Sequence, residues 1–436
     1  MTDVIKVKGG NPLIGSVTPV PNKNAILAAL PVCILTDETV TYHNVPKSTD
    51  VIKMLEMLTL MGASVDDSDF SNLKICCKKM HSYTVDKDLG NLIRSSLMFA
   101  GPLLVRFGIA KIPIPGGCVL GKRSIAAHVD SFEKAGVKFD LTDGYAVFTA
   151  PKKSNSNYNI WQFEASVTGT ENLFLYAAGA SSRFEVTDCA CEPHVTQLLQ
   201  LLQSMGAKVE GIGSNRVCIT GTKKLKGTEF TPDPDFVDIG GLIVAAAITK
   251  GKLTLKGANI PRVVDGMLGW FRRFNIDITE KGSDLVIDGK NELIIDYKNS
   301  GFPMAGDNLP KLAPKPWPGF PVDALPPVVT LACKAKGDLL IKNWMYETGL
   351  DFIRELNSMG ADIFMCDPER IIVHGPVTFK SRKVTAPDII QACKAIFLAS
   401  LADPVETTIT GWEILKRRYP DVLEVYKKLG AEIQTL

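Results

Sequence analysis

The sequence predicts an α/β protein of two lobes built from six repeated βαβ-type units, three to a lobe. Two observations predict it: a short phrase that recurs six times, and a small-residue apolar helix ahead of each copy. The phrase reads L-M-G-A-S-V at 60–65, K-A-G-V-K-F at 134–139, S-M-G-A-K-V at 204–209, R-F-N-I-D-I at 273–278, S-M-G-A-D-I at 358–363 and K-L-G-A-E-I at 428–433. Copies follow one another at about 70 residues, with one interval of about 85, and a near-fixed period of that kind is internal repetition. Each copy has the chemistry of a helix stop: an apolar residue, a glycine able to turn left-handed, then an apolar residue that opens a strand. The fourth copy uses Asn275, the residue that tolerates that conformation next best. A chain of 436 residues also exceeds the size at which a single core stops growing.

Each unit begins with its apolar helix, predicted at Asn24–Leu35, Ser95–Phe107, Glu171–Ala180, Gly240–Lys250, Ala324–Lys334 and Ile389–Leu401. A strand with alternating pattern follows, as in T-V-T-Y-H-N-V at 39–45, R-F-E-V-T-D at 183–188 and K-L-T-L-K-G at 252–257. An amphipathic helix comes next, for example Asp50–Met61 and His194–Met205, and a closing strand follows the glycine. A helix that is apolar nearly all round must be interior, so each lobe is expected to pack three of them together beneath sheets and amphipathic helices. The proline- and acid-rich T-E-F-T-P-D-P-D at 228–235 marks the boundary after the third unit. The strand at 3–8 has no place in the first three units. It is therefore assigned to the C-terminal half, giving one lobe of residues 1–22 and 234–436 and another of residues 23–233. Asn299–Pro318 accounts for the long interval and reads as an inserted proline-rich loop on the surface or at the edge of a site.

Composition narrows the function. A hydrophobic fraction of 45% with 22% charged residues is ordinary for a soluble globular protein, and the net charge of +2 points to no polyanionic partner. Lys416–Arg418 is a short basic cluster, without the aromatic-interleaved stripe of a nucleic-acid binder. The ten cysteines lack the paired spacing of a zinc site and the density of a disulfide scaffold, and they read as reduced thiols. Cys189 and Cys191 with His194 make a thin case for a metal, and buried packing is the simpler reading; no metal site is assigned. The opening M-T-D-V-I-K-V-K-G-G reads as a strand, and no apolar run approaches the roughly 20 residues that span a bilayer, so a cytoplasmic location is expected.

The stretch richest in chemistry is P-I-P-G-G-C-V-L-G-K-R at 113–123. Its glycines free the backbone, and Lys122 with Arg123 favours a thiolate at Cys118 and attracts phosphate or carboxylate. It reads either as a lid carrying a catalytic cysteine or as a plain surface loop. Lys23 and Asn24 stand just before an apolar helix, where backbone N–H groups and the helix dipole suit an anion; Asn24 is also a good N-cap, and Lys23 alone would pass for an exposed lysine. Asp323 follows Pro321 at the start of another such helix, where capping and catalysis are both open to it. Arg94 opens the helix of the second unit, an end where a cation is unfavourable unless it serves a ligand or simply faces solvent.

Six units in two lobes, with K-N at 23–24, I-R-S-S at 93–96, P-G-G-C-x-x-G-x-R at 115–123, S-V-x-x-T-E-N at 166–172 and P-G-F-P-x-D at 318–323, closely resemble the enolpyruvyl transferases. Within that superfamily the resemblance is to the UDP-N-acetylglucosamine enolpyruvyl transferases, which start peptidoglycan synthesis, rather than to the shikimate-pathway synthase, which lacks the cysteine loop. The resemblance implies a pair of inside-out α/β barrels and transfer of the enolpyruvyl group of phosphoenolpyruvate to a hydroxyl, with release of phosphate and no cofactor. It implies that Cys118 delivers a proton and can form a covalent adduct, that Asp323 takes the hydroxyl proton, and that Lys23 and Arg123 hold the phosphate and carboxylate. Asn24, Arg94, Arg123, Ser166, Val167 and Asp323 would meet the acceptor. The partners implied are these two small molecules, with no nucleic acid or membrane, for a monomer or weak oligomer.

Three departures from the family pattern stand out. Asp388-Ile389-Ile390 replaces D-L-R, whose arginine grips phosphoenolpyruvate, and loss of such a charge-assisted contact costs on the order of a few kcal/mol. Arg123-Ser124-Ile125-Ala126 replaces R-P-V-D and so drops an aspartate that contacts uracil. Ser166-Val167-Thr168 replaces S-V-G, and a β-branched residue fits poorly where positive φ is needed, with Gly169 one place later as a compensating candidate. Transfer to another nucleotide or sugar hydroxyl, and a non-catalytic relative that keeps the fold, are the alternatives.

Overall fold

The six helix stops are governed by the backbone. In the computed structural model, which describes residues 4–114, 124–295 and 309–436, φ is 98° at Gly62, 81° at Gly136, 116° at Gly206, 64° at Asn275, 97° at Gly360 and 107° at Gly430. All six lie in the region that excludes most side chains. From each stop the chain turns directly into a closing strand: Ser64–Asp66, Lys138–Thr142, Lys208–Glu210, Asp277–Lys281, Asp362–Asp367 and Glu432–Thr435.

The strands form six separate sheets with one common order. In each, the strand after the apolar helix has a parallel neighbour on one side and an antiparallel one on the other, and the closing strand pairs with the latter. Thus Arg183–Thr187 runs parallel to Asn157–Trp161 and antiparallel to Arg216–Thr220, which pairs with Lys208–Glu210. The same order recurs around Val40–His43, Ile109–Pro113, Lys252–Leu255, Gly337–Lys342 and Glu406–Thr410; at Ile109–Pro113 the parallel neighbour is the single bridge Thr84–Lys111. In the last sheet, Val4–Lys8 fills the antiparallel place between Glu406–Thr410 and Glu432–Thr435. Ile14–Val17 likewise gives Lys252–Leu255 its parallel neighbour. These two pairings put the N-terminal residues with the C-terminal half: residues up to Val20 and from Pro234 form one compact unit, and Pro21–Asp233 form the other among the described residues.

Each unit has its own apolar core, centred on three helices. In Pro21–Asp233 these are α1 (Lys23–Ala29), α2 (Ala100–Phe107) and α3 (Val167–Gly179); in the other they are α4 (Phe236–Ile248), α5 (Leu325–Lys334) and α6 (Ile390–Ala402). All 13 residues of α4 are buried, as an Ile-, Val- and Ala-rich helix requires, each large aliphatic side chain contributing about 1.5–3 kcal/mol. The helices α4, α5 and α6 pack pairwise against one another, and α2 lies along α3. Two of the predicted helices are partly 3₁₀. Leu30–Leu35 follows α1 as a 3₁₀ turn, and Arg94–Phe99 precedes α2 as another. Pro31 and Pro102 supply the reason, since a proline has no N–H and its ring clashes with the carbonyl four residues back. The predicted loop at 299–318 is also corrected in part. Its residues 299–308 lie outside the described set, but Lys311–Leu312 is a strand parallel to Leu340–Ile341 with Leu312 fully buried, so this end belongs to the repeated sheet.

The contact of α2 with α3 depends on Gly101. A Cβ there would stand 2.4 Å from the Asn172 carbonyl oxygen and 2.9 Å from its side-chain Oδ1. Gly101→Ala should therefore cost about 1–3 kcal/mol in urea unfolding, because backbone has to move, and a loss under about 0.5 kcal/mol would contradict the packing. Among the described residues no helix is long and apolar enough to cross a membrane.

Candidate active site

The expected site residues fall on both units. Cys118 and Arg123 lie outside the described residues. On Pro21–Asp233, Lys23 is the first residue of α1 and is only 6% exposed, against the exposed position a lone lysine suggests. Its Nζ donates to Asp50 Oδ2 at 2.8 Å, and Asp50 is itself buried in the first turn of helix Thr49–Leu60. A buried cation is tolerated because this carboxylate answers it. Asn24 is not the cap of α1. Asn22 caps it, its Oδ1 accepting from the Asn24 and Ala25 N–H groups at 3.0 and 3.2 Å, so these two donors are engaged within the protein. Lys23 is thus presented from a rigid helix start.

Arg94, Ser124, Ser166 and Thr168 gather around the start of α3. Arg94 Nη2 donates to the Ser124 carbonyl at 2.8 Å, which pins the chain immediately after residue 123. Ser166 caps α3, its Oγ accepting from the Gly169 N–H, and Val167 is the first helical residue, half-buried against the core. Thr168 is helical, and neither it nor Gly169 has positive φ; the conflict expected of a β-branched residue here does not arise. Its hydroxyl turns to His128 Nε2 at 3.1 Å. Asn172 fixes the tautomer. Its Oδ1 accepts from the Gly101 N–H, so its Nδ2 must donate, to Leu97 O and to His128 Nδ1 at 3.2 Å, leaving Nε2–H to donate to Thr168. Asn172 of the T-E-N motif thus ties α3 to its neighbours, and Thr170 likewise donates to Gln162 Oε1 at 2.6 Å.

Burial, and then the charge of Arg94, hold His128 down from 6.5 to about 3. The unfolded chain takes up a proton as pH falls below 6.5, whereas the folded imidazole refuses it until about 3. Stability is accordingly lost over that interval at about 1.4 kcal/mol per pH unit. Going from pH 7 to pH 5 should cost about 2 kcal/mol more in the native protein than in His128→Gln when both are unfolded in urea. Equal losses in the two proteins would refute it.

On the other unit, Asp323 lies in the 3₁₀ turn Val322–Ala324 ahead of α5. It caps nothing. Its Oδ1 accepts from the Tyr346 hydroxyl at 3.4 Å and its Oδ2 from Arg418 Nη1 at 3.3 Å. Arg418 is 4% exposed and also grips Asp235, Nε to Oδ2 at 2.7 Å and Nη2 to Oδ1 at 2.9 Å. Burial disfavours the Arg418 charge, yet Asp235, Tyr419 and Asp323 together outweigh it and raise its pKa. Asp235 in turn caps α4 through the Val237 N–H at 2.9 Å. Deeper in, Lys394 on α6 lies 3.7 Å from Asp238 and 4.3 and 4.7 Å from the rings of Tyr419 and Tyr426. Ile390, in the place of the family arginine, packs against the apolar core. Of the cations near it in sequence, Lys394 is thus committed to the core, and Arg382 donates to the Ser358 carbonyl.

The profile of the EPSP synthase (3-phosphoshikimate 1-carboxyvinyltransferase) family matches residues 7–426. The chain belongs to this family. It is 33% identical over 428 residues to the UDP-N-acetylglucosamine 1-carboxyvinyltransferase of Treponema denticola, covering 98% of each chain. It is 34% identical to that of Bradyrhizobium diazoefficiens, covering 98% of this chain and 97% of the relative. The enolpyruvyl transferase NikO of Streptomyces tendae has the same fold, with a TM-score of 0.86 at 20% identity over 100% of this chain and 99% of that one. An EPSP synthase of Acinetobacter baumannii follows at 0.76 and 17%, covering 100% of both chains.

In this family member, Lys23, Arg94 and Asp323 stand out in the sequence, but the side chains that hold Lys23 and Asp323 do not. Asp50 reads as the start of an amphipathic helix, Asp235 as the end of a linker, and Arg418 as part of a short basic cluster. A signal existed for Asp235, which precedes an apolar helix in the way an N-cap does. None existed for Arg418, whose partners are remote in sequence. Cys189 and Cys191 are buried thiols, pushed up by burial to about 12 and about 11, which disfavours the thiolate a metal would need.

Proposed function

We propose that this chain transfers the enolpyruvyl group of phosphoenolpyruvate to a hydroxyl of UDP-N-acetylglucosamine, releasing phosphate, in the cytoplasm as the entry to peptidoglycan synthesis. The observation that carries this reading is identity of 33–34% along 98% of the chain with relatives bearing that activity in their names. The six like-ordered sheets around two sets of apolar helices support a pair of inside-out barrels, each of three units. In the reaction, Asp323 takes the proton of the acceptor hydroxyl while its oxygen bonds to C2 of phosphoenolpyruvate, and Cys118 delivers a proton to C3. The C2–O bond to phosphate then breaks, the phosphate leaving with the proton taken up by Asp323, and C3 returns a proton to the Cys118 thiolate, so the protons balance. Lys23 and Arg123 hold the phosphate and carboxylate; Asn24, Arg94, Ser166 and Val167 face the acceptor together with Arg123 and Asp323.

A second reading, transfer to another nucleotide or sugar hydroxyl, is favoured by Thr168, whose hydroxyl is engaged with His128, and by Ala126 in the place of an aspartate. One experiment separates them: phosphate release and intact mass with phosphoenolpyruvate, with and without a panel of acceptors. Release with UDP-N-acetylglucosamine supports the first reading, and release only with another acceptor supports the second. No release and no adduct with any of them would leave a non-catalytic relative. In the active protein, Cys118→Ser should abolish both the phosphoenolpyruvate adduct and alkylation by fosfomycin-like epoxides; unchanged alkylation would overturn the role of Cys118.

A further inference from the structure

We infer that Arg418 is a positioning residue for the reaction, holding the Asp323 carboxylate in the orientation in which it accepts a proton. The inference rests on the reading of Asp323 as the base. The geometry is a relay of fixed groups. Asp235 is fully buried and anchored by the Val237 N–H at the start of α4. Its two oxygens take Nε and Nη2 of Arg418, and a two-point grip sets the plane of a guanidinium as a single bond cannot. The remaining Nη1 points at Asp323 Oδ2 at 3.3 Å.

An aspartate otherwise turns freely about its last bond, whose torsion is broad. Here the turn is stopped from two sides, by Arg418 at Oδ2 and by the Tyr346 hydroxyl at Oδ1. The Asp323 side chain nevertheless stays 32% exposed, while that of Arg418 is 4% exposed, so the carboxylate can meet a ligand that the guanidinium barely can. Charge balance suits the same task. Asp235 already answers the Arg418 cation, so when Asp323 takes a proton from a hydroxyl no uncompensated buried charge is left behind.

The test compares Arg418→Lys, Tyr346→Phe and Asp323→Asn in steady-state kinetics with phosphoenolpyruvate and UDP-N-acetylglucosamine. Arg418→Lys keeps the charge and loses the fork. It should lower kcat about 10- to 100-fold with both KM values within about threefold of native. Tyr346→Phe should lower kcat about 3- to 10-fold. In the Asp323→Asn background, either change should cost less than about twofold, since its effect passes through the carboxylate. A merely structural role would give the same loss in both backgrounds, and that result overturns the inference. So does native kcat in Arg418→Lys when Asp323→Asn is crippled, which leaves the base assignment standing. Native kcat in Asp323→Asn removes the base assignment itself and the inference with it. Should Arg418→Lys fail to fold, Tyr346→Phe decides: a native kcat there overturns the two-sided hold.

Discussion

Asp323→Asn should lower kcat by about 10²- to 10⁴-fold, the usual contribution of a positioned general base, while leaving the fold intact. The amide matches the carboxylate in shape and cannot take the proton of an acceptor hydroxyl. Stability should hold because the 3₁₀ turn Val322–Ala324 gains no cap from this side chain, and because Arg418 keeps its two bonds to Asp235. In barrier terms the loss is about 3–5 kcal/mol, far beyond what a rearranged exposed contact produces. Phosphate release measured at saturating phosphoenolpyruvate and acceptor checks it, with urea unfolding as the control. A kcat within about threefold of native would remove Asp323 from the chemistry.

Arg418→Met should have the largest effect on stability. Asp235 is fully buried, and both of its oxygens accept from this guanidinium. Removing the cation leaves an uncompensated carboxylate in the core beneath α4, a defect that costs about 3–5 kcal/mol. The sign is tested by a second change. Asp235→Asn added to Arg418→Met discharges the orphan and keeps a good helix cap, so it should recover more than half of the loss. Urea midpoints of the native, single and double variants measure this directly. A single-variant loss under about 1 kcal/mol, or no recovery in the double, would mean that the pair carries little of the stability.

Both expectations concern side chains whose partners are invisible along the chain, and this sets how much of the protein is legible beforehand. The repeat was legible because a helix stop is a local event: Gly62, Gly136, Gly206, Asn275, Gly360 and Gly430 all adopt positive φ, which residue type and two neighbours suffice to foretell. The apolar helices were legible for a similar reason, since a face apolar all round has nowhere to go but inside. Less legible was their form. Pro31 and Pro102 divert parts of two of them into 3₁₀ turns, and Lys311–Leu312 joins a sheet from within a stretch that reads as loop. The cap of α1 was misplaced by position, since Asn22 takes the role given to Asn24; of the two roles open to Asp323, its bonds to Arg418 and Tyr346 leave capping aside.

By itself, then, the sequence determined the period, the helix stops, the apolar helices and the motif residues Lys23, Arg94, Ser166 and Asp323 to which the proposed reaction is assigned. Only the tertiary structure decided which charges meet: Lys23 with Asp50, 27 residues on, and Arg418 with Asp235, 183 residues back. The physical reason is range. Backbone conformation is dictated by sterics within a few residues, whereas a buried ion must take whichever opposite charge the packed helices bring within about 3 Å, wherever that charge lies in the chain.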